Sequence, residues 1–300
     1  MRSSHSSDED RRLQGRRRSG APSPGLRRSP ALPAPLHLQS RHSLLRGVVP
    51  IEELAARAGR YGYGAFCVAD RNNLYGSVCA WRAARAAGLK AIIGAELDDG
   101  APEGAARRGE PRREEPRTAL LLARDRAGYA RLCRAVTRRK LAEREGGRGE
   151  APGFDLVETI AADPTGLFIL TENPELAGGL AARLGRHARE ALFVELSRPV
   201  ASVARERRLL HAAQSLGLSV VAGGATPFLD APDASFHHLL EAMRTLSTVR
   251  RVAAGAPAPP ANRLLPPRAL ADLYRDLPQA LETSARIARE CRVDFDPDRH

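Results

Sequence analysis

AFCVADRNNLYGSVCAWRAARAAGLKAIIGAEL, residues 65–97, decides the fold. Its two ends, AFCVAD (65–70) and KAIIGAEL (90–97), are short apolar runs that read as buried strands. Between them LYGSVCAWRAARAAG (74–88) reads as a helix, with Gly88 placed to end it. Upstream, VVPIEELAARAGRYGYG (48–64) puts Pro50 at a helix N-terminus, and the amphipathic run that follows ends at Gly62 or Gly64. Helix and strand thus alternate at about 25-residue spacing, the pattern of strands joined by crossover helices.

The alternation continues downstream. TALLLARD (118–125) reads as a strand, followed by a helix with apolar positions at Tyr129, Leu132, Cys133 and Val136. GLFILTEN (166–173), ALFVELSR (191–198) and LSVVAGG (218–224) read as further strands, with helices at PELAGGLAARLG and VARERRLLHAAQSLG between them. APDASFHHLLEAMRTLS reads as a helix, VRRVAAGAPAPPANRLLPP as a linker, and the remainder as two short helices split near Pro278. Residues 98–117 and EGGRGEAPG (145–153) read as charged, Gly- and Pro-rich surface loops. Five or six parallel strands separated by helices fit a β/α barrel or an open doubly wound sheet.

Composition narrows the function. The formal charge is +12, from 47 Lys and Arg against 35 Asp and Glu. Only Lys90 and Lys140 are lysines, and Ala, Gly, Pro and Arg are abundant together. The basic balance is therefore read partly as compositional bias and partly as a preference for phosphate backbones. Residues 1–35 hold eight Arg, three acids and five Pro, and are expected to be a disordered basic tail, one that reaches DNA or an extension without a role. Cys67, Cys79, Cys133 and Cys291 form no C-x-x-C pair and read as small buried thiols of a reducing, cytoplasmic protein. No run reaches the roughly 18 apolar residues of a membrane span, no secretory signal is seen, and there is no P-loop and no G-x-S-x-G. His237 and His238 are adjacent on their helix and read as surface, and Trp81 and Phe236 as isolated aromatics.

In a β/α barrel the chemistry gathers where strands run into their following loops. Those positions carry His37, Gln39 and His42, then Ala69, Asp70, Arg71, Asn72 and Asn73, then Glu96 and Asp98. Later strands end on Thr171, Glu172 and Asn173, on Glu195, Ser197 and Arg198, and on Gly223, Gly224, Ala225 and Thr226. A divalent-metal cluster needs several converging His, Cys, Asp or Glu ligands. Only His37, Asp70, Glu96, Glu172 and Glu195 qualify, and the guanidinium of Arg71 repels a dication. Arg71 is expected to pair with Asp70 or Glu96 in place of the metal's charge.

The segment 51–97, with NNLYG (72–76), AAGLKAIIGAEL (86–97), LLLARDRAGYARLCRAVTR (120–138) and LPQALETSARIAREC (277–291) in the same order, resembles the PHP (polymerase and histidinol phosphatase) domain of bacterial C-family DNA polymerases. The resemblance implies a distorted seven-stranded β/α barrel over residues 36–248, with 249–300 a linker and helical segment leading toward a polymerase palm. It implies a cluster of up to three metal ions in intact members. Against that pattern His37 matches the first histidine of H-x-H and Gln39 replaces the second. Ala69, Asp70 and Arg71 stand where T-D-H is usual, so Arg71 replaces a ligand. Glu96 matches the G-x-E glutamate, while Ala225 and Pro227 stand at the positions of lost ligands. ENPELAG (172–178) departs from the G-C-x-x-G motif.

Three readings follow. The leading one is the N-terminal, metal-free PHP part of an error-prone alpha-like polymerase, with a structural role in replication and repair synthesis, no catalytic residue of its own and no ability to polymerise alone. The second is a metal-dependent phosphoesterase or 3′–5′ exonuclease holding Zn or Mn on a reduced site of His37, Asp70, Glu96, Glu172 and Glu195. The third is a nucleic-acid-binding module that uses the basic tail.

Overall fold

The computed structural model describes residues 32–100, 117–146, 154–199, 202–230, 232–255 and 263–295. The tail expected to be disordered, nearly all of the 98–117 loop and most of the 145–153 loop lie outside these residues.

Six strands form one sheet in the order β1-β2-β3-β4-β5-β6: β1 (Ala65–Arg71), β2 (Lys90–Asp98), β3 (Thr118–Ala123), β4 (Leu167–Thr171), β5 (Leu192–Ser197) and β6 (Ser219–Gly223). The helices are α1 (Ile51–Arg60), α2 (Ser77–Ala86), α3 (Arg126–Gly146), α4 (Leu156–Ala161), α5 (Pro174–Leu184), α6 (Ala188–Ala191), α7 (Val203–Leu216), α8 (Asp233–Arg244), α9 (Val249–Gly255), α10 (Pro267–Leu273) and α11 (Pro278–Glu290). Helix α1 starts after Pro50, as its sequence implies, and carries Glu52 and Glu53 in its first turn and Arg57 and Arg60 in its last. Those charges match the helix dipole. Asp155, Asn173 and Ser202 each cap the helix that follows them through a side-chain oxygen.

The sheet is not wholly parallel. β3 runs antiparallel to both β2 and β4, whereas β1–β2, β4–β5 and β5–β6 are parallel. Asp98 pairs with Thr118, so β3 begins where β2 ends and runs back along it. A parallel return needs a crossover of a dozen or more residues, usually helical, and residues 99–117 carry no apolar periodicity to build one. α4, α6 and α9 are additions to the sequence reading, and α9 lies inside the stretch expected to be a linker.

The segment before β1 closes the ring. Leu38 forms parallel bridges to Val68 of β1 and to Thr226 just beyond β6. Leu38 N donates to Cys67 O at 3.2 Å and Ala69 N to Leu38 O at 2.8 Å. On the other side Gln39 N donates to Thr226 O at 3.0 Å and Thr226 N to His37 O at 2.9 Å. The expected first strand is thus one bridging residue wide, and with it six strands make a curled, barrel-like sheet.

Strand alternation divides the core in two. Phe66, Val68, Ile93, Leu97, Leu121, Ile169, Val194 and Leu196 face the helices. Cys67, Ile92, Leu120, Leu122, Phe168, Leu170, Phe193 and Val221 face inward. Ile287, Ala288 and Cys291 of the α11 region join this inner cluster, and Ser284 Oγ donates to Ala34 O at 2.8 Å. α11 therefore fills the end of the ring near the strand starts. Trp81 is not isolated: its Nε1 donates to Asp294 at 2.9 Å and its ring meets Phe295 edge-on at 6.3 Å. Cys67 and Cys291 are buried as expected, while Cys79 is exposed. No helix among the described residues is long and apolar enough to cross a membrane.

Candidate functional site

On β1, β2 and β5 the inner face turns polar toward the C-terminal end. On β2, Ile92 and Gly94 give way to Glu96 and Asp98, and on β5, Phe193 gives way to Glu195 and Ser197. The period of two fixes the partners: Arg71 shares the inner face with Cys67 and Ala69, whereas Asp70 shares the outer one with Phe66 and Val68.

Glu96 and Asp98 are the hub. Gln39 Nε2 donates to Glu96 Oε2 at 2.9 Å, and Arg71 Nη1 lies 3.7 Å from the same oxygen. Arg71 Nε donates to Asp98 Oδ2 at 2.9 Å, Asn72 Nδ2 to Asp98 Oδ2 at 2.7 Å, and Arg139 Nε to Asp98 Oδ1 at 2.7 Å. Burial opposes the charge of both carboxylates. At Asp98 the Arg71 and Arg139 cations and the Asn72 hydrogen bond outweigh it and hold the group down to about 2. At Glu96 the cations of Arg71, His37 and Arg46 outweigh it and hold the carboxyl below the usual range.

His37 bridges to the far side. Its Nδ1 donates to Glu195 at 3.1 Å, while Nε2 has no hydrogen-bond partner among the described residues and lies 4.0 Å from Glu96 Oε1. Burial alone lowers an imidazole's pKa. Here attraction to Glu195, the hydrogen bond to it, and the charges of Glu96 and Glu172 override burial and raise His37 to about 9. Gly224 N donates to Glu195 Oε1 at 2.7 Å. Gly223 and Gly224 permit this approach: a Cβ on Gly223 would lie 2.2 Å from Glu195 Oε1, and one on Gly224, whose φ is +115°, would lie 2.1 Å from Ser197 Oγ.

Glu172 accepts from Ser197 Oγ and, at 3.0 Å, from Arg205 Nη2. Burial, then repulsion by Glu195, pushes its carboxyl up to about 7. Arg46 is depressed to about 9 by burial and by the neighbouring Arg71 and Arg244 cations.

The structure brings His37, Gln39, Arg71, Glu96, Glu172 and Glu195 together, and it separates Asp70. Asp70 accepts from Ser40 N, Ser40 Oγ and Ser43 Oγ, each at 2.8 Å, and so locks the turn after Gln39. Of the two partners expected for Arg71, Glu96 is found beside it and Asp70 is not, because neighbouring residues on a strand face opposite ways; Asp98 is the added partner. Burial raises the Asp70 carboxyl, and the hydrogen bonds from Ser43 and Ser40 oppose that. Ala225 and Pro227 flank the bridging Thr226 and bring no donor atom. His237 is part-buried rather than simple surface, its Nδ1 donating to Arg46 O at 2.7 Å.

Arg139 is the residue that sequence reasoning missed. It is 2% exposed and belongs to the Leu132 and Val136 face of α3, at seven and three residues' spacing. An arginine inside an apolar stripe signals a buried acid, and Asp98, two residues after Glu96 on the same face, is that acid. Among the described residues no group of three or more His, Cys, Asp and Glu is arranged to hold a metal ion.

The sequence model of the PHP domain matches residues 35–218. The error-prone DNA polymerase of Anaeromyxobacter sp. (strain K) is 37% identical over 268 residues, covering 86% of this chain and 22% of that protein. The DNA polymerase III subunit alpha of Neisseria meningitidis serogroup A / serotype 4A is 26% identical over 273 residues, covering 86% and 23%. The chain thus spans less than a quarter of the length of these relatives. Among solved structures, an amidohydrolase from Chromobacterium violaceum aligns with a TM-score of 0.45 at 13% identity, covering 65% of this chain and 87% of that one.

Proposed function

We propose that this chain, which belongs to the PHP domain family, is the PHP part of an error-prone alpha-like DNA polymerase of the cytoplasm, acting in replication and repair synthesis as a structural element. Its barrel covers 36–248, and 249–300 leads toward the rest of the polymerase. Nucleotidyl transfer belongs, in this reading, to the larger share of the relatives that the chain does not match. The position of Arg71 carries the reading. Its guanidinium sits 2.9 Å from Asp98 and 3.7 Å from Glu96, on the inner face at the strand ends. Burial works against the charge of the Arg71 guanidinium, but Glu96 and Asp98 outweigh it and hold the group charged, so it supplies the positive charge those carboxylates need. Gln39 donates to Glu96 rather than offering a lone pair to a metal, and Ala225 and Pro227 offer nothing. Hydrolysis through bound ions needs several ligands to hold them and to generate a hydroxide, and this donor set does not fit that task.

A second reading, a reduced metal-dependent phosphoesterase, is favoured by one observation: His37 Nε2 lacks a partner and faces Glu96 Oε1 at 4.0 Å. The test is hydrolysis of p-nitrophenyl phosphate and of 3′-labelled single-stranded DNA with Mn or Zn present. The structural reading expects no EDTA-sensitive release. EDTA-sensitive hydrolysis that is lost in both His37→Ala and Glu96→Gln would replace it with the second.

A further inference from the structure

The two ends of the barrel differ in charge. At the mouth Arg71, Arg139 and His37 face buried carboxylates. At the opposite end, where the strands start, cations gather with few acids among them. Lys90 opens β2, and its Nζ donates to Cys291 O at 3.0 Å and to Arg289 O at 3.3 Å, at the C-terminal end of α11. Arg124 follows β3, whose reversal brings it beside the start of β4. Its guanidinium lies 4.7 Å from the centre of the Phe168 ring, and that of Arg286 lies 5.3 Å from the centre of the Phe193 ring. Arg292 N donates to Arg124 O at 2.6 Å. Lys90, Arg124, Arg286, Arg289 and Arg292 therefore crowd one face. Glu290, 3.0 Å from Arg124, is the one acid that an ion pair ties to this group among the described residues. Burial, then the Arg292 and Arg289 cations, hold the Lys90 ammonium below its usual range against the pull of Cys291. Lys90 is engaged by the two carbonyls, whereas Arg289 and Arg292 are exposed.

The chemistry of this face fits a phosphodiester backbone better than a protein. Guanidinium groups meet phosphate oxygens through paired N–H donors, and surfaces that bind nucleic acid are markedly basic. Protein interfaces are instead anchored by aromatic and apolar side chains at a centre poor in charge. Among the described residues from α11 to 295, no large apolar side chain is exposed. The face also lies at the end of the barrel away from Glu96 and Glu195, whose carboxylates repel phosphate.

We propose that this strand-start face binds the phosphodiester backbone of nucleic acid, with Arg289 and Arg292 meeting phosphates and Arg286 beside them. The full 300-residue chain is titrated into fluorescein-labelled duplex DNA of mixed sequence, and anisotropy is read between about 50 and 200 mM salt. Each cation that meets a phosphate adds about 0.9 to the slope of log affinity against log salt. Arg289→Ala combined with Arg292→Ala is expected to lower that slope by about 1.8 and to weaken binding at least about tenfold at low salt, with the melting midpoint unchanged. Arg207→Ala combined with Arg208→Ala removes the same charge from exposed positions of α7 that also lack an ion pair among the described residues, and is expected to leave the slope in place. An equal loss in both variants overturns the proposal in favour of net charge alone. Binding that survives the Arg289 and Arg292 changes but is lost when Arg16, Arg17 and Arg18 become alanine overturns it in favour of the N-terminal segment. Tighter binding to polyglutamate than to the duplex overturns it in favour of an acidic protein. No binding at about 50 mM salt overturns it outright.

Discussion

Replacing Arg71 with methionine removes the guanidinium that joins two strand ends and keeps much of its apolar stem. Arg71 serves Asp98 at 2.9 Å and Glu96 at 3.7 Å, and both carboxylate side chains are 6% exposed. Removing one partner of a buried pair leaves an uncompensated charge and costs about 3–5 kcal/mol. Asp98 retains Arg139 and Asn72, and Glu96 retains Gln39, His37 and Arg46, so the lower end, about 3 kcal/mol, is expected. In a domain of this size each kcal/mol moves the unfolding midpoint by about 2–4 °C, giving a fall of about 6–12 °C at pH 7 by scanning calorimetry. Arg71→Lys keeps the charge and loses the planar fork, and falls between the two. The deficit narrows on acidification. Glu96 is held below its ordinary range in the parent, so its contribution is present at neutral pH and fades as the pH falls through that value. Added Mn does not restore the variant, because Gln39, Ala225 and Pro227 supply no ligand. A methionine variant that melts within about 1 °C of the parent would refute the view that Arg71 holds the mouth of the barrel together.

Two further outcomes follow from the same geometry. His37 is raised from 6.5 to about 9 and Glu172 from 4.5 to about 7, so the folded state holds both protons more tightly than the unfolded one. Their contribution is full at low pH and is lost as the pH rises through 7 and then 9. Asp98, lowered from 3.8 to about 2, contributes above 3.8 and fails as the pH falls toward 2. Melting midpoints taken across the pH range therefore peak at about pH 4–5 and decline toward 9, and a midpoint that climbs between pH 5 and 9 contradicts the assignment. Gly223→Ala places a Cβ 2.2 Å from Glu195 Oε1 and displaces that carboxylate from His37, costing about 1.5–3 kcal/mol for the charged hydrogen bond lost. A fully stable Gly223→Ala variant with an unchanged pH profile would show that Glu195 does not need this position.

Much of the fold was legible in local pattern. Pro50 before an amphipathic run and apolar runs at 65–70 and 90–97 are signals carried within each segment, and the strands and helices stand where those signals place them. The reversal of β3 was harder to read, because an apolar run such as TALLLA looks the same in either direction. The decisive clue, the lack of helical periodicity across 99–117, concerns the connection and not the strand. In the site, residue types at strand ends located His37, Arg71, Glu96, Glu172 and Glu195. Pairing was less legible. Asp70 and Arg71 are adjacent in sequence, yet strand alternation sends one to the Ser40–Ser43 turn and the other to Asp98. Arg139 reaches Asp98 from a helix 41 positions away, a contact that only the tertiary packing of α3 creates. Trp81 looked isolated and His237 looked like surface for the same reason: Asp294 and Arg46 come to them from distant segments.

We propose that Arg71 and Gln39 give Glu96 and Asp98 the charge and hydrogen bonds that a metal ion would otherwise supply. Metal content decides it. The purified 300-residue chain, saturated with Mn or Zn and then desalted, is assayed by plasma mass spectrometry. Well under one ion per chain is expected in either metal. Two or more ions retained per chain would contradict it.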